Sequence, residues 1–365
     1  MAESVIRFAG SGLRVQPPLS LYIHLPWCVK KCPYCDFNSH AAQGIPETAY
    51  IDALLLDLER ALPDIWGRAI HTVFFGGGTP SLFSADGVER ILAAVRTLTP
   101  LLPGAEITLE ANPGTVEAAR FAGFREAGVT RVSLGIQSFN PQHLEVLGRI
   151  HDGDEARRAA ELAATHFDTF NLDLMFALPG QTLTGALADL ETALGFAPPH
   201  LSAYHLTLEP NTPFGHSAPP NLPDDDLAAD MQLAIEARLN EAGLRHYETS
   251  AYARPHHASR HNLNYWRFGD YLGIGAGAHS KLSFHDRILR QMRTKHPQQY
   301  MDAVRQGRHI ADVRALTRSD LPFEFMMNAL RLNDGVAAAL FEERTGLPLC
   351  VCAPALEQAQ ARGLM

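Results

Sequence analysis

Cys28-Val29-Lys30-Lys31-Cys32-Pro33-Tyr34-Cys35 follows an apolar stretch, residues 19–25, that alternates like a β-strand. The cysteine spacing is C-x3-C-x2-C, and no fourth cysteine lies nearby. A cubane iron–sulfur cluster has four irons, and each takes one ligand from outside the cube. Three thiolates therefore leave one iron open to a small molecule. This pattern predicts chemistry or exchangeable binding at the open iron rather than a closed structural site.

The same cysteines could instead belong to a zinc site. Such a site would need a fourth ligand from His24, His40, Cys350 or Cys352. The C-x3-C-x2-C spacing is not the usual paired spacing of zinc ligands. The cluster is therefore the preferred hypothesis, and a structural metal-binding module is kept as an alternative.

Strand-like and helix-like segments alternate after residue 18. Strands are predicted at 19–25, 71–75, 106–111, 131–136, 169–176 and 201–208, and helices at 50–62, 87–98, 115–127, 153–165 and 182–196. Six βα repeats predict a parallel sheet with right-handed crossovers. The predicted fold class is therefore α/β, a partial (β/α)6 barrel with a smaller α+β C-terminal region.

Composition shifts suggest where the chain divides. A lead-in at 1–18 precedes the barrel at 19–208, and residues 209–226 form a linker with five prolines that ends in Asp224-Asp225-Asp226. An accessory α+β region is predicted at 227–310, including a helix at 227–242 and a strand at 246–252. Residues 311–365 are predicted to be helical and winged-helix-like, and this last region looks incomplete.

The bulk composition excludes several classes. With 46% hydrophobic residues, 19% charged residues and a net charge of −9, the 365-residue chain is typical of a globular protein and not of a nucleic-acid binder. Five cysteines, three of them clustered, do not make a disulfide framework. No apolar run approaches the length of a membrane span, and the predicted location is cytoplasmic.

Glycines and polar residues follow successive predicted strands. Gly76-Gly77-Gly78-Thr79 ends the second strand, and Glu110, Gln137 and Asp173 mark the next three. Ligands bind at the carboxyl ends of strands in α/β sheets and barrels, so these residues and the cysteines should share one rim. Glycine lets a backbone approach a ligand closely, and Arg149 is a natural partner for a carboxylate. The alternatives are a tight turn for the glycines and a plain surface role for Glu110.

These motifs resemble the radical S-adenosylmethionine (SAM) superfamily, in which SAM chelates the open iron of a [4Fe–4S] cluster. The segments Tyr22-Ile23-His24-Leu25-Pro26-Trp27-Cys28, Leu109-Glu110-Ala111-Asn112-Pro113 and Gly135-Ile136-Gln137-Ser138-Phe139 are similar to the branch that contains oxygen-independent coproporphyrinogen III dehydrogenase. The resemblance spans about residues 20–330. It implies cluster ligation by Cys28, Cys32 and Cys35, and SAM contacts at Tyr22, Tyr34, Gly77, Gly78, Thr79, Glu110, Gln137, Arg149 and Asp173.

Two features separate this chain from the dehydrogenase. Phe37 stands where that enzyme typically has a further cysteine, and His261-Asn262-Leu263-Asn264-Tyr265-Trp266 resembles the H-N-x-x-Y-W signature of the haem chaperones called HemW. Imidazole is a common axial ligand of haem iron, and aromatic rings offer flat faces to a macrocycle. The resemblance therefore implies haem contacts at His261, Tyr265 and Trp266. The alternative is an ordinary packing motif with a satisfied histidine.

The resemblance also implies cofactors and partners. The cofactors are a [4Fe–4S] cluster, S-adenosylmethionine and haem, and the partners are haem-accepting proteins. An electron donor such as flavodoxin or ferredoxin is expected if SAM is cleaved, and peripheral contact with membrane-bound haem proteins is a further expectation. The sequence leaves open whether the protein is an enzyme, because the main alternative function is the oxidative decarboxylation of coproporphyrinogen III.

Overall fold

The computed structural model describes residues 13, 15–42, 44–115 and 118–364. Most of the predicted lead-in lies outside the described residues, as do two residues of the helix predicted at 115–127. None of the helices in the described part of the chain is both long and apolar enough to cross a membrane.

The strands, in chain order, are β1 (Leu19–Leu25), β2 (Trp27–Cys28), β3 (His40–Ala41), β4 (Ile70–Gly77), β5 (Leu101–Ala111), β6 (Arg131–Gln137), β7 (Thr169–Phe176), β8 (His200–His205), β9 (Arg245–Glu248), β10 (Ala251–Ala253), β11 (Asp270–Ile274), β12 (His279–Ser283), β13 (Ile288–Arg293) and β14 (Ile310–Ala315). The helices are α1 (Glu47–Ile65), α2 (Ala85–Leu98), α3 (Ala118–Ala127), α4 (Pro141–Val146), α5 (Gly153–His166), α6 (Leu183–Leu194), α7 (Pro213–His216), α8 (Asp225–Glu241), α9 (Arg260–Trp266), α10 (Pro297–Arg305), α11 (Asp320–Ala329), α12 (Ala338–Thr345) and α13 (Ala353–Ala361).

Twelve of these strands form one mixed sheet, in the order β14-β13-β12-β11-β1-β4-β5-β6-β7-β8-β10-β9. The run from β11 through β1 and β4 to β8 is parallel. Antiparallel strands extend the sheet at both ends. The predicted α/β class is confirmed, and all six predicted βα strands are present. β11 is a seventh parallel strand that the sequence did not predict.

Side chains on β1 divide between two faces, as the alternation predicted. Leu19, Leu21 and Ile23 join the main hydrophobic core under the helices. The intervening residues carry the polar groups: Ser20 accepts a hydrogen bond from Thr72 Oγ1 at 2.8 Å, and Tyr22 contacts the ring of His24. This polar face of β1 leads directly to the cysteine loop.

The C-terminal half departs from expectation in detail. The strand predicted at 246–252 is two strands, β9 and β10, because Thr249 and Ser250 make a turn between them. The helix predicted at 227–242 is α8, and Asp224 caps it by accepting a hydrogen bond from Leu227 N at 2.9 Å. The predicted domain limits stay a prediction, and β11–β14 belong to the same sheet as the barrel strands.

A buried carboxylate joins α1 to these added strands. Asp57 is fully buried and accepts hydrogen bonds from Tyr300 Oη at 2.8 Å and Gly275 N at 3.2 Å. Arg293 and His309 lie within 3.3 Å and 3.0 Å of its Oδ1 atom. Burial would raise the pKa of Asp57, but the charge of Arg293 and the hydrogen bonds from His309 and Tyr300 outweigh it and hold that pKa below its usual value. The network therefore fixes the β11–β14 extension against the barrel.

Candidate active site

The cysteine loop begins where β1 ends. The two ends of the loop are joined by the parallel pairing of β2 with β3, in which Cys28 lies opposite Ala41. Cys35 N donates to Cys32 O at 3.2 Å, which closes the turn between the second and third cysteines. All three thiols are partly buried and line one cavity at the carboxyl ends of the parallel strands. The loop thus presents the three predicted cluster ligands to a common space.

The same cavity collects nearly all the predicted SAM residues. Tyr34, Gly77, Gly78, Thr79, Glu110, Gln137, Arg149 and Asp173 line it together with the cysteines. Tyr22 instead lines an adjoining cavity, which shares Phe37, Gly77 and Glu110 with the first. Sequence reasoning missed Ser39, Asn112 and Ser133, which also line the site. Asn112 directly follows the carboxyl end of β5, which is the signal that would have found it, whereas Ser133 lies inside β6.

Burial favours the protonated form of the cysteine thiols, whereas an iron–sulfur cluster binds the thiolate form. Burial raises the pKa of Cys28 and of Cys35; the Thr79 side chain partly offsets this rise at Cys28, and the Phe37 backbone does so at Cys35. Metal binding requires the deprotonated form, so cluster insertion should release protons. Within the described residues, no three His, Cys, Asp or Glu side chains are placed to hold a single metal ion. The described residues therefore offer no ligand set for a single zinc ion. A cubane cluster, by contrast, takes each external ligand on a different iron.

The glycine run fits between the cysteine loop and the sheet. Gly77 has φ +118°, and a Cβ there would lie 2.6 Å from the ring of His24. A Cβ on Gly78 would lie 2.5 Å from the carbonyl oxygen of Trp27. Gly78 N and Thr79 N donate to the carbonyls of Leu25 and Trp27 at 2.8 and 2.7 Å. Only glycine permits this close approach, which brings Thr79 against the thiol of Cys28.

Two carboxyl groups make one wall of the cavity acidic. Asp173 accepts hydrogen bonds from Ser133 Oγ at 3.0 Å and Asn171 Nδ2 at 2.7 Å, and burial raises its pKa. Glu110 accepts one bond from Gly77 N at 3.2 Å. Burial, with the charge of Asp173 second, raises the pKa of Glu110 to about 8. A cationic ligand would stabilise the ionised form of both groups.

Arg149 lines the same cavity beside the cysteines. Its Nη1 lies 3.6 Å from Cys32 Sγ, and Nη2 donates to Gly135 O at 2.7 Å. Its Nε is buried and has no hydrogen-bond partner in the described part of the chain. Gln137, at the end of β6, has φ 69°, a left-handed conformation that is rare outside glycine. A buried donor without a partner and a strained strand end both indicate a place for a polar ligand.

Tyr22 is linked to the cysteine loop by a chain of hydrogen bonds through His24, which is called the histidine relay below. His24 Nε2 lies 2.9 Å from Asn38 O and must donate to it, so Nδ1 accepts from Tyr22 Oη at 3.0 Å. Burial lowers the pKa of His24 to about 4, so the ring is neutral. Asn38 Nδ2 in turn donates to Ala276 O and Lys295 O, both at 2.9 Å. The relay ties the cysteine loop to the β11–β12 connection.

The predicted haem residues lie beneath this site, on α9. His261 is 1% exposed, with Nδ1 2.8 Å from Thr72 Oγ1 and Nε2 3.0 Å from Tyr265 Oη. Both ring nitrogens are therefore engaged, and iron ligation by His261 would require one of these bonds to break. Tyr265 lines the adjoining cavity, and the Arg331 guanidinium lies 4.3 Å above the ring of Trp266. The haem role of these three residues stays a prediction.

Comparison with known proteins identifies relatives of this fold. A family model described as the radical SAM superfamily matches residues 22–193, and one described as the HemN C-terminal domain matches residues 316–365. The Escherichia coli coproporphyrinogen III oxidase HemN, a solved structure, superposes with a TM-score of 0.79 over 97% of this chain and 90% of its own, at 22% identity. That identity supports the fold alone. The chain thus contains a radical SAM domain.

Sequence comparison gives a narrower placement. The chain is 52% identical to "Heme chaperone HemW" of Escherichia coli, over 96% of this chain and 92% of that protein. It is also 52% identical to "Heme chaperone HemW" of Haemophilus influenzae, over 91% and 87% of the two chains. The chain therefore belongs to the HemW family. Membership of the radical SAM superfamily implies a [4Fe–4S] cluster and SAM.

Proposed function

We propose that this protein is a haem chaperone, which binds a [4Fe–4S] cluster, SAM and haem and transfers haem to acceptor proteins. The observation that carries the proposal is the 52% identity, over 96% of the chain, to a protein named as a heme chaperone. The residues of the cavity support the cofactor part of the proposal. The three thiols line one cavity, which is what a cubane requires, and the acidic wall and Arg149 suit a ligand that carries both positive and negative groups.

Each residue has a defined task in this proposal. Cys28, Cys32 and Cys35 give up protons and hold the cluster. When bound, such a cluster would provide an iron site for SAM and an electron for its sulfonium. Arg149 would donate its unpaired Nε to a carboxylate of the ligand. Glu110 and Asp173 would hold its positive charge.

Phe37 bears on whether the protein carries haem or catalyses the oxidative decarboxylation of coproporphyrinogen III. It is 61% exposed and borders both cavities, in the position where the dehydrogenase branch typically has a further cysteine. A phenyl ring there offers an apolar face and no thiol. This substitution favours holding a flat ligand beside the cluster over the oxidative decarboxylation of coproporphyrinogen III.

An anaerobic titration tests the proposal. The full chain with its cluster is titrated with haem, and coproporphyrinogen III, SAM and reduced flavodoxin as electron donor are added afterwards. We expect stoichiometric haem binding, no consumption of coproporphyrinogen III, and release of haem to an apo-haemoprotein. Decarboxylated product without haem binding would refute the chaperone function and establish the enzyme. One zinc per chain with no iron or sulfide would instead favour the structural metal-binding module.

A further inference from the structure

A second cavity lies beside the cluster cavity, between the end of β1 and the β11–β12 connection. Its wall includes the aromatic rings of Phe37, Tyr265 and Tyr271, and one edge is formed by His279, the first residue of β12. Phe37 and Glu110 belong to both cavities. A flat, mostly apolar ligand in this cavity would therefore lie next to the cluster, and of the predicted SAM residues it would meet Tyr22, Gly77 and Glu110.

The histidines around this cavity differ in what their rings already bind. His24 and His261 use both ring nitrogens in hydrogen bonds to Tyr22, Asn38, Thr72 and Tyr265. The side chain of His279 is exposed, and in the described part of the chain its ring has no hydrogen-bond partner. His279 is thus the histidine of this wall that can bind a new ligand without breaking an existing hydrogen bond.

The surroundings of His279 keep its imidazole available. Burial on one side, and then the positive charges of Lys295 and Arg290, lower its pKa, while Asp312 acts in the opposite direction. The ring is therefore neutral near pH 7, which is the form that coordinates a metal. The exposed Lys295 also offers a cation for a ligand carboxylate near the same edge.

The β11–β12 connection holds His279 in a fixed position. A Cβ on Gly273 would lie 2.0 Å from the carbonyl oxygen of His279, and a Cβ on Gly277 would lie 2.3 Å from Asn38 Nδ2. Glycine is therefore required at both positions for the hairpin to close on the cysteine loop. Because Asn38 Nδ2 bridges this connection to the cysteine loop, the backbone that carries His279 is fastened to the cluster site.

We infer that His279 is the axial ligand of haem iron, with the macrocycle in the second cavity against Phe37, Tyr265 and Tyr271. The inference rests on the proposed haem function and names the site where that function operates. An iron porphyrin matches each part of this wall: a ring nitrogen for the metal, aromatic faces for the macrocycle and Lys295 for a propionate. His261 then acts as a positioning residue, because its Nε2 bond to Oη orients Tyr265 at the cavity wall.

The test uses the full-length protein with its cluster, titrated anaerobically with ferric haem and followed by absorption and electron paramagnetic resonance. His279→Ala should weaken haem binding at least about tenfold, because even outer-shell partners of metal ligands are worth about 10–100-fold in affinity. His279→Cys should bind haem but give the resonance and ferrous–carbonyl Soret band of thiolate ligation. The matched control is His285→Ala, which removes an exposed histidine from the turn between β12 and β13 and should leave the spectra unchanged.

The possible failures are distinguishable. If the wild-type protein binds no stoichiometric haem, the proposed function falls. If the wild-type protein binds haem and both His279 variants keep its affinity and spectra, the assignment of His279 falls and the haem function stands. Loss of the ligand signature in His261→Ala, with normal His279 variants, would assign the iron to α9 instead. Iron and sulfide content and circular dichroism of each variant show that the cluster and fold are intact.

Discussion

Arg149 donates a hydrogen bond to the thiol of Cys32, with Nη1 3.6 Å from Sγ. The same guanidinium is fixed to β6 through Gly135 O, and its buried Nε has no hydrogen-bond partner among the described residues. One side chain therefore touches a predicted cluster ligand, the sheet and the predicted SAM space. The loop and the strand hold Arg149 in the cavity, as expected of a predicted SAM contact.

Arg149→Lys should weaken SAM binding while leaving the cluster in place. Lysine keeps the charge but cannot make the bonds of the guanidinium plane to Cys32, Gly135 and a ligand together. Hydrogen bonds to charged groups contribute about 1.5–3 kcal/mol, which corresponds to about 10–100-fold in affinity. SAM binding to the reconstituted protein, measured by calorimetry, gives the change. Arg157→Lys, at an exposed i,i+3 ion pair on α5, is the matched control, and an equal loss of affinity there would remove the assignment.

Cys32→Ser should abolish cluster binding and leave the fold in place. Serine is nearly the size of cysteine, but its hydroxyl stays protonated and is a poor ligand for iron. Iron and sulfide per chain should fall to a small fraction of the wild-type content, and the brown absorbance should disappear. Cys350→Ser changes an exposed cysteine far along the chain and should keep the full cluster. Four irons per chain in the Cys32 variant would show that the ligand set was misassigned.

Asp57→Asn should destabilise the protein strongly, although Asp57 lies outside the candidate site. Asparagine leaves Arg293 buried and without its counter-charge, and breaking a buried pair typically costs about 3–5 kcal/mol of unfolding free energy. Asp52→Asn, on the same helix, removes an exposed pair with Arg90 and should cost less than about 1 kcal/mol. Urea denaturation of the two variants measures the difference. Similar losses in both would mean that the network does not join α1 to the extension.

The pKa of Asp57 also sets a pH dependence with a definite sign. Its pKa is lower in the folded protein than the ordinary value of 3.8. Its contribution to stability is therefore present above that ordinary value and is lost as the pH falls through the folded pKa. The stability difference between wild type and Asp57→Asn should accordingly shrink in acid.

The sequence predicted the rim of the site because strand ends carry local signals. Cys28, Gly77, Glu110 and Gln137 each follow a short apolar run, and a parallel sheet brings such ends together whatever the details of the helices. Tyr22 was the exception. It lies within β1, bonds to His24 two residues further along the same strand, and lines the neighbouring cavity, so a search of strand ends does not find it.

For α9 the sequence motif is easy to see, but the surroundings of its side chains could not be predicted from the sequence. The His-Asn-x-x-Tyr-Trp segment is conspicuous in the sequence, but its environment depends on β1, β4 and β11. Thr72 and Ser20 provide partners for His261 and Asn264 from strands that are about 190 and 244 residues away in the chain. Burial and hydrogen bonding at such separations are set by the tertiary fold. A histidine that looks free in the sequence is therefore satisfied in the structure.

Glu110→Gln should change how SAM binding depends on pH. The pKa of Glu110 is raised by burial and Asp173 to about 8, so the carboxyl is mostly protonated at pH 7 in the absence of ligand. A cationic ligand favours the ionised form, so the affinity of the wild-type protein for SAM should rise with pH and level off above about 8. The glutamine variant lacks this rise. Titrations with SAM from pH 6 to 9 give the ratio of the two affinities, and ionisation of SAM or of the cysteines cancels in that ratio.

The same substitution should act on stability with a predictable sign. Between the ordinary pKa of 4.5 and the folded value of about 8, the native state holds a proton that the unfolded chain has released. The free energy of unfolding therefore falls as the pH rises through this window, and Glu110→Gln should be relatively more stable at its upper end. Asp36→Asn, which changes an exposed carboxylate of the cysteine loop, should alter neither profile.

A pH-independent ratio of SAM affinities between wild type and Glu110→Gln would mean that Glu110 stays ionised. It would also mean that this wall of the cavity is more hydrated than the burial of Glu110 indicates.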